Sequence, residues 1–267
     1  IPIFGALLMS LSIAMSSSVV IVNITRSPRR ATDTPTEEAL LGWSLMQDVV
    51  GVAIAAVILA LFGSGESSLL TAIGGLLGFG IIAIGASRIL PRVLRAVRWE
   101  KDLFLIYSVS FGLVLAALGT VVFGIPMALA GFVAGLAINQ SRDTEEVRKA
   151  ILPFRDLFAV LFFVVIGTLI APQELAAAWP FALLVLVLMI LLKTLPTMAL
   201  AKIAKMNVRP TQLGVGVSQI GEFSFVLGSL AFAEDVITRS QFTGLLVAVV
   251  LSITASTILI RRPQKQA

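Results

Sequence analysis

The sequence predicts an all-α, polytopic membrane protein with nine transmembrane helices, and three observations carry that expectation. Apolar residues make up 58% of the 267-residue chain and charged residues 13%, with a mean hydropathy of +1.01. Soluble domains hold about 25% charged and 45–50% apolar residues. A fold of this size has too little interior to hide the excess, which must face lipid. The apolar residues also fall into nine runs, nearly all long enough to cross a hydrocarbon core of about 30 Å as helices. Finally, the loops between the runs alternate between basic and poor in Lys and Arg.

The runs are 3–22, 41–62, 68–87, 103–122, 124–138, 156–171, 176–200, 211–233 and 241–260. The fifth is the shortest and opens at Gly124-Ile125-Pro126, where Pro at a first helical position is tolerated. The second follows a loop ending in a candidate capping box, from Thr34 to Glu37 or from Thr36 onward. The basic loops are Arg26–Arg30, Arg88–Lys101, Arg142–Arg155 and Lys202–Arg209, with the tail Arg261–Lys265. The connections Gly63–Ser67, Phe123–Pro126, Ala171–Pro180 and Ala233–Gln241 hold one basic residue, Arg239. The positive-inside rule puts the basic set in the cytoplasm, so nine crossings from an external start end at a cytoplasmic C-terminus. The first residues, Ile1-Pro2-Ile3, lack a methionine and a basic n-region. They do not read as a signal peptide but as a chain cut in mid-sequence.

Composition also excludes chemistry. Cysteine and histidine are both absent, which removes disulfides, thiol nucleophiles, zinc and copper sites and His-assisted hydrolysis. The net charge of +5 is explained by topology, so nucleic acid is not an expected partner; the lipid bilayer is. Gly214 with Gly216, and Gly131 with Gly135, lie in apolar helices rather than after strands and read as packing positions, not dinucleotide binding.

Apart from Asp156 at the loop edge of the sixth run, three charged residues lie inside the runs: Asp48, Lys193 and Glu222. Such groups cost at least ~2.5–3.5 kcal/mol each in a bilayer and mark ion or proton paths. Asp48 follows Gln47 and precedes an apolar stretch, so its carboxylate can hold a proton or a cation, or serve as a structural hydrogen-bonding group. Lys193 reads as a charge partner for Asp48, as a proton carrier, or as half of a structural ion pair. Glu222 lies in Gln219-Ile220-Gly221-Glu222-Phe223-Ser224, where a glycine beside polar residues suggests a loosened helix. It reads as an ion ligand or as a group serving that break. Ser16-Ser17-Ser18 in the first run can bend the helix, pack it, or offer oxygens to a dehydrated alkali cation.

At these residues the chain resembles the cation:proton antiporter-2 family, in particular its Kef-like and YbaL-like potassium/proton branch. Leu11 to Ser18 is similar to the serine-rich stretch of that family's first discontinuous helix, and Gln47-Asp48 to its ion-binding pair. Ala130 to Gly135, Pro153 to Phe158 and Leu161 to Gly167 resemble its panel signature, and Gln219 to Phe225 its second discontinuous helix.

The resemblance implies an NhaA/NapA-like inverted-repeat fold of thirteen helices with crossing discontinuous helices, of which these nine look like the fifth to the thirteenth. It implies core helices over 1–62 and 172–267, a linker helix over 63–101, and panel helices over 102–171 through which relatives form homodimers. It implies an ion site of Asp48, Gln47, Ser17 and Ser18, with Lys193 as charge partner and Gln219, Gly221 and Glu222 as the second broken-helix motif. Asp48 would hold the alkali cation. Electrogenic relatives have a second aspartate where this chain has Gln47, so the exchange implied is electroneutral. Ser141 to Glu146 departs from the Kef gating loop, so glutathione control is not implied.

The expected function is exchange of K+ or Na+ for H+ by alternating access in the bacterial cytoplasmic (inner) membrane. No cofactor is expected beyond the transported ions. A cation-coupled symporter of a small anion would want more positive charge than Lys193 supplies. An intramembrane hydrolase would have only Asp48 and Glu222 to work with, in no catalytic motif. A non-transporting scaffold or sensor is the remaining alternative.

Overall fold

The computed structural model describes residues 1–26, 32–62, 69–96, 99–123, 125, 130–131, 133–135, 151, 153–154, 157–158, 160–161, 164–165, 167–168, 170 and 172–260. Among them the regular elements are all helices: α1 (Ile3–Ala14), α2 (Ser18–Arg26), α3 (Thr34–Phe62), α4 (Leu69–Ala96), α5 (Lys101–Phe123), α6 (Leu175–Met189), α7 (Leu195–Ile203), α8 (Pro210–Val217), α9 (Phe223–Ala233) and α10 (Arg239–Ile260). A 3₁₀ turn, Pro172–Glu174, precedes α6, and a π turn, Ile190–Thr194, joins α6 to α7.

Six stretches among the described residues are long and apolar enough to cross a membrane: Ile3–Thr25, Thr34–Leu59, Leu77–Leu94, Asp102–Phe123, Pro172–Ile203 and Arg239–Ile260. The chain is an all-α polytopic membrane protein. Predicted span five, 124–138, falls largely outside the described residues, and span six, 156–171, is described only in part. The eighth, 211–233, is two short helices, α8 and α9, rather than one.

By contacts the chain divides into two compact units, residues 1–58 with 168–267, and residues 59–167. In the second unit α4 and α5 pair antiparallel. Phe79 meets Phe123 with ring centroids 5.9 Å apart, and Leu90 and Leu94 pack on Phe104, Phe111 and Ile151. The loop expected over Arg88–Lys101 is mostly helix, because Leu90 and Leu94 carry the buried face of α4 onward to Ala96. Arg88 and Arg92 tolerate this by turning back along their own helix, onto Ile84 O at 3.4 Å and Arg88 O at 2.9 Å.

In the first unit α6 and α10 run parallel, joined at their starts by Arg239–Glu174 at 3.4 Å and by Ser240 Oγ donating to Ala177 O at 2.9 Å. Val20, Ile21 and Ile24 of α2 pack with Leu40 of α3, Ala201 of α7, Leu213 and Val217 of α8, and Ile260 of α10. In lipid such contacts stabilise by close packing rather than by exclusion of water.

The second run begins at Thr34, seven residues before the expected start. Its cap is Asp33 rather than Thr34 or Thr36: the Thr36 amide donates to Asp33 Oδ1 at 3.1 Å. Arg209 adds a 3.2 Å ion pair to Asp33, and its amide donates to Thr36 Oγ1 at 2.9 Å, which ties the start of α8 to the start of α3. Burial alone would raise the Asp33 carboxyl. Hydrogen bonds from Thr36 and the Arg209 guanidinium outweigh it and hold the group below the ordinary carboxylate range.

Candidate functional site

Two helices in the first unit are interrupted, and they cross at their interruptions. Between α1 and α2, Met15 to Ser17 leave the helix, with Met15 extended at φ −77° and ψ 128°. Between α8 and α9, Ser218 to Glu222 do the same. Gly221 is where the two backbones pass: a Cβ there would stand 2.6 Å from the Ser16 carbonyl carbon and oxygen and 2.8 Å from the Ser17 nitrogen. Its amide donates to Met15 O at 2.8 Å.

An interrupted helix frees carbonyls and amides that lipid cannot satisfy, so each needs a partner from the protein. The Gln219 amide pairs with the Ser17 backbone in both senses, accepting from its N–H and donating to its carbonyl, each at 2.9 Å. Gln47 does likewise at the end of α1: its Oε1 accepts from Ser16 N at 3.0 Å and its Nε2 donates to Ala14 O. Ser16 Oγ donates to Val217 O at 2.7 Å, Ser256 Oγ to Val215 O at 2.8 Å, and the Ile220 amide to Ser252 Oγ at 3.1 Å.

Lys193 completes the set, with Nζ 3.2 Å from Ile13 O and 2.9 Å from Gln219 O. These carbonyls belong to the C-terminal ends of α1 and of the α8 segment, where the helix dipoles place partial negative charge. Asp48, 6% exposed, takes the opposite place. Its side chain neighbours Ser18, the first residue of α2, and feels the like charge of Glu222, which precedes α9. Both are helix N-terminal ends, where the dipole favours an anion. The amine thus sits on the carbonyl ends of the crossing, and the Asp48 carboxyl beside the residues that open α2 and α9.

All the expected site residues therefore gather at one crossing, in more specific places than the sequence indicated. Ser18 faces Asp48. The Ser17 hydroxyl caps α2, accepting from Val20 N at 3.3 Å. Gln47 clamps the first break. Lys193 hydrogen-bonds to carbonyls, and its amine and Asp48 serve opposite dipole ends instead of forming an ion pair. A cavity of about 670 Å³ lies beside this region, lined by Trp43, Gln47, Lys193, Thr197 and Leu200 among others.

Sequence reasoning missed Thr194, Ser218, Ser252 and Ser256, all buried and engaged around the second break. The available signal was hydroxyl residues inside strongly apolar runs, with Pro196 beside Thr194. Among the described residues no group of three or more His, Cys, Asp and Glu could hold a metal ion as a resident cofactor.

Two interrupted helices crossed through a glycine, with a carboxylate and an amine buried beside them, are the architecture of α-helical membrane transporters built on discontinuous helices. The chain belongs to the sodium/hydrogen exchanger family, since residues 1–263 match the family described as "Sodium/hydrogen exchanger, transmembrane". It is 27% identical over 264 residues to a protein of Escherichia coli (strain K12) named "Putative cation/proton antiporter YbaL". That alignment takes in 93% of this chain and 47% of the relative, so the chain spans about half the relative's length.

Proposed function

We propose that this chain is the ion-translocating part of a monovalent cation/proton antiporter, exchanging K+ or Na+ for H+ by alternating access. The observation that carries the reading is the placement of Asp48. Among the described residues Asp48 is the one buried carboxylate, and it neighbours Ser18 at the start of α2 and Glu222 before α9, in a chain of the sodium/hydrogen exchanger family. Alkali cations take oxygen ligands, and a carboxylate beside a hydroxyl offers them. Protonation of Asp48 removes the charge that holds the cation, so each ion displaces the other, which is exchange.

Gln47 supports an electroneutral cycle. Both ends of its amide are engaged with the α1 break, and an amide neither takes up nor releases a proton at physiological pH. In this reading residues 1–62 and 172–267 supply the moving core, 63–101 the linker and 102–171 the panel through which two copies associate. The protein lies in the bacterial inner membrane with its C-terminus in the cytoplasm, as the basic loops indicate.

The test is cation-driven proton movement in everted membrane vesicles carrying the full-length protein. Addition of K+ or Na+ dissipates a preformed proton gradient with wild type and leaves it intact with Asp48→Asn. Full cation-dependent exchange by Asp48→Asn overturns the assignment.

A further inference from the structure

The helix that carries Lys193 is irregular where it meets the crossing. Pro196 has no N–H to give and crowds the carbonyl one turn back. The chain widens into a π turn over Ile190–Thr194, with the Leu195 amide reaching back five residues to Ile190 O. Lys193 and Thr194 both belong to that turn. Lys193 Nζ donates to Gln219 O at 2.9 Å, and Thr194 Oγ1 lies 2.6 Å from Ser218 Oγ. Two neighbours on one helix therefore grip two neighbours on the second break.

Gly214, one turn before Ser218 on α8, permits the approach. A Cβ there would run into the Met198 side chain and stand 3.1 Å from Thr194 O.

The polarity of this grip follows from counting protons. The two hydroxyls have two, and three contacts compete for them: Thr194 with Met189 O at 3.3 Å, Thr194 with Ser218, and Ser218 with Gly214 O. The Ser218 amide closes instead on Val215 O at 3.3 Å, so Gly214 O takes its donor from the Ser218 hydroxyl. Ser218 then gives its proton to Gly214 O, and Thr194 gives its own to Ser218. The long contact to Met189 O is the one left over.

We propose that Thr194 and Ser218 are positioning residues for the exchange reaction, a clasp that locks the π turn onto the second break and thereby fixes the place of the Lys193 charge. The proposal rests on the antiporter reading above. A π turn relaxes to α-helix by a slip of one residue, which turns a side chain roughly 100° about the axis. That slip would take the amine off both carbonyls and leave two dipole ends uncompensated. The Thr194 hydroxyl opposes it by holding the same turn to an element outside its own helix.

The experiment uses the full-length protein in proteoliposomes, with maximal exchange rates taken per folded molecule and folding followed by size exclusion and thermal melting. Thr194→Val keeps the shape and removes the donor; its rate is expected to fall about fivefold, the worth of one net hydrogen bond. Thr194→Ser keeps the hydroxyl and stays within about twofold of wild type. Because the pair acts as a unit, Thr194→Val with Ser218→Ala together is no slower than Ser218→Ala alone. A Thr194→Val protein as fast as wild type, equal slowing by Val and Ser, or multiplying losses in the double variant would each overturn the clasp. Should Thr194→Val not fold, Thr194→Ala beside Thr194→Ser decides: slowing by Ala alone supports the clasp, and a wild-type rate refutes it. Wild type and Asp48→Asn run beside these keep the two claims apart. Absent wild-type exchange defeats the antiporter reading, whereas Asp48-dependent exchange indifferent to Thr194 defeats the clasp alone.

Discussion

The α4–α5 pair and the crossing of α1–α2 with α8–α9 meet the same demand, a backbone that lipid cannot hydrogen-bond, in opposite ways. In the pair both helices are continuous, their backbone groups are satisfied along the helix, and side chains such as Leu90, Leu94 and Phe104 have only to pack. At the crossing the ladder is broken twice, and Gln47, Gln219, Ser16, Ser256 and Lys193 act as replacement hydrogen-bonding partners. The difference teaches where function lies. Irregular backbone in a membrane is tolerated where the protein satisfies it, and here its free helix ends create the fields that hold one amine and one carboxylate.

Substitutions sharpen the contrast. The largest loss of exchange is expected for Asp48→Asn, which keeps the shape and removes the charge; proton flux in vesicles should fall to that of vesicles without the protein. Next comes Gly221→Ala. Its methyl would meet the Ser16 carbonyl, which is backbone and cannot swing aside, so about 1–3 kcal/mol of stability and most of the exchange rate should go together. A wild-type rate from this variant would mean that the close crossing is not needed.

Asp33→Ala is milder. It removes a helix cap and an exposed ion pair, about 1 kcal/mol, and thermal melting should fall by a few degrees with exchange nearly intact. The Asp33 carboxyl is held below its ordinary range, so its contribution is complete at neutral pH and fades as pH drops through that depressed value. The melting difference between Asp33→Ala and wild type should therefore shrink in acid and stay constant above it. Leu90→Ala has the smallest effect on exchange. It should lower stability by about 2–4 kcal/mol and leave turnover per folded molecule unchanged. A change in its cation dependence would break the division between packing and function drawn here.

Much of this was legible in the sequence because the bilayer makes polar residues conspicuous. Asp48, Lys193 and Glu222 stood out inside apolar runs, and Gly221 beside Gln219 marked the second break. What stayed hidden was direction. Nothing in the spacing shows that Lys193 turns to Ile13 O and Gln219 O while Asp48 turns to Ser18, because that depends on which helix ends meet at the crossing. Ser17, expected to offer an oxygen to the ion, also caps α2, a task that only the position of the break reveals. The π turn at Ile190–Thr194 was invisible in a run of leucines, although Pro196 gave a reason to expect one. The end of α4 was misread because arginines suggested a loop, whereas buried leucines between them continue the helix.

The proposed exchange requires one carboxylate to be shared by a proton and an alkali cation. The direct measurement is equilibrium binding of K+ and Na+ to the purified full-length protein across a pH series, for wild type and Asp48→Asn. Competition predicts that wild-type apparent Kd rises about tenfold for each unit of pH lost once the carboxylate protonates, and that Asp48→Asn binds weakly at every pH. Cation affinity that ignores pH, or that survives in Asp48→Asn, would contradict it.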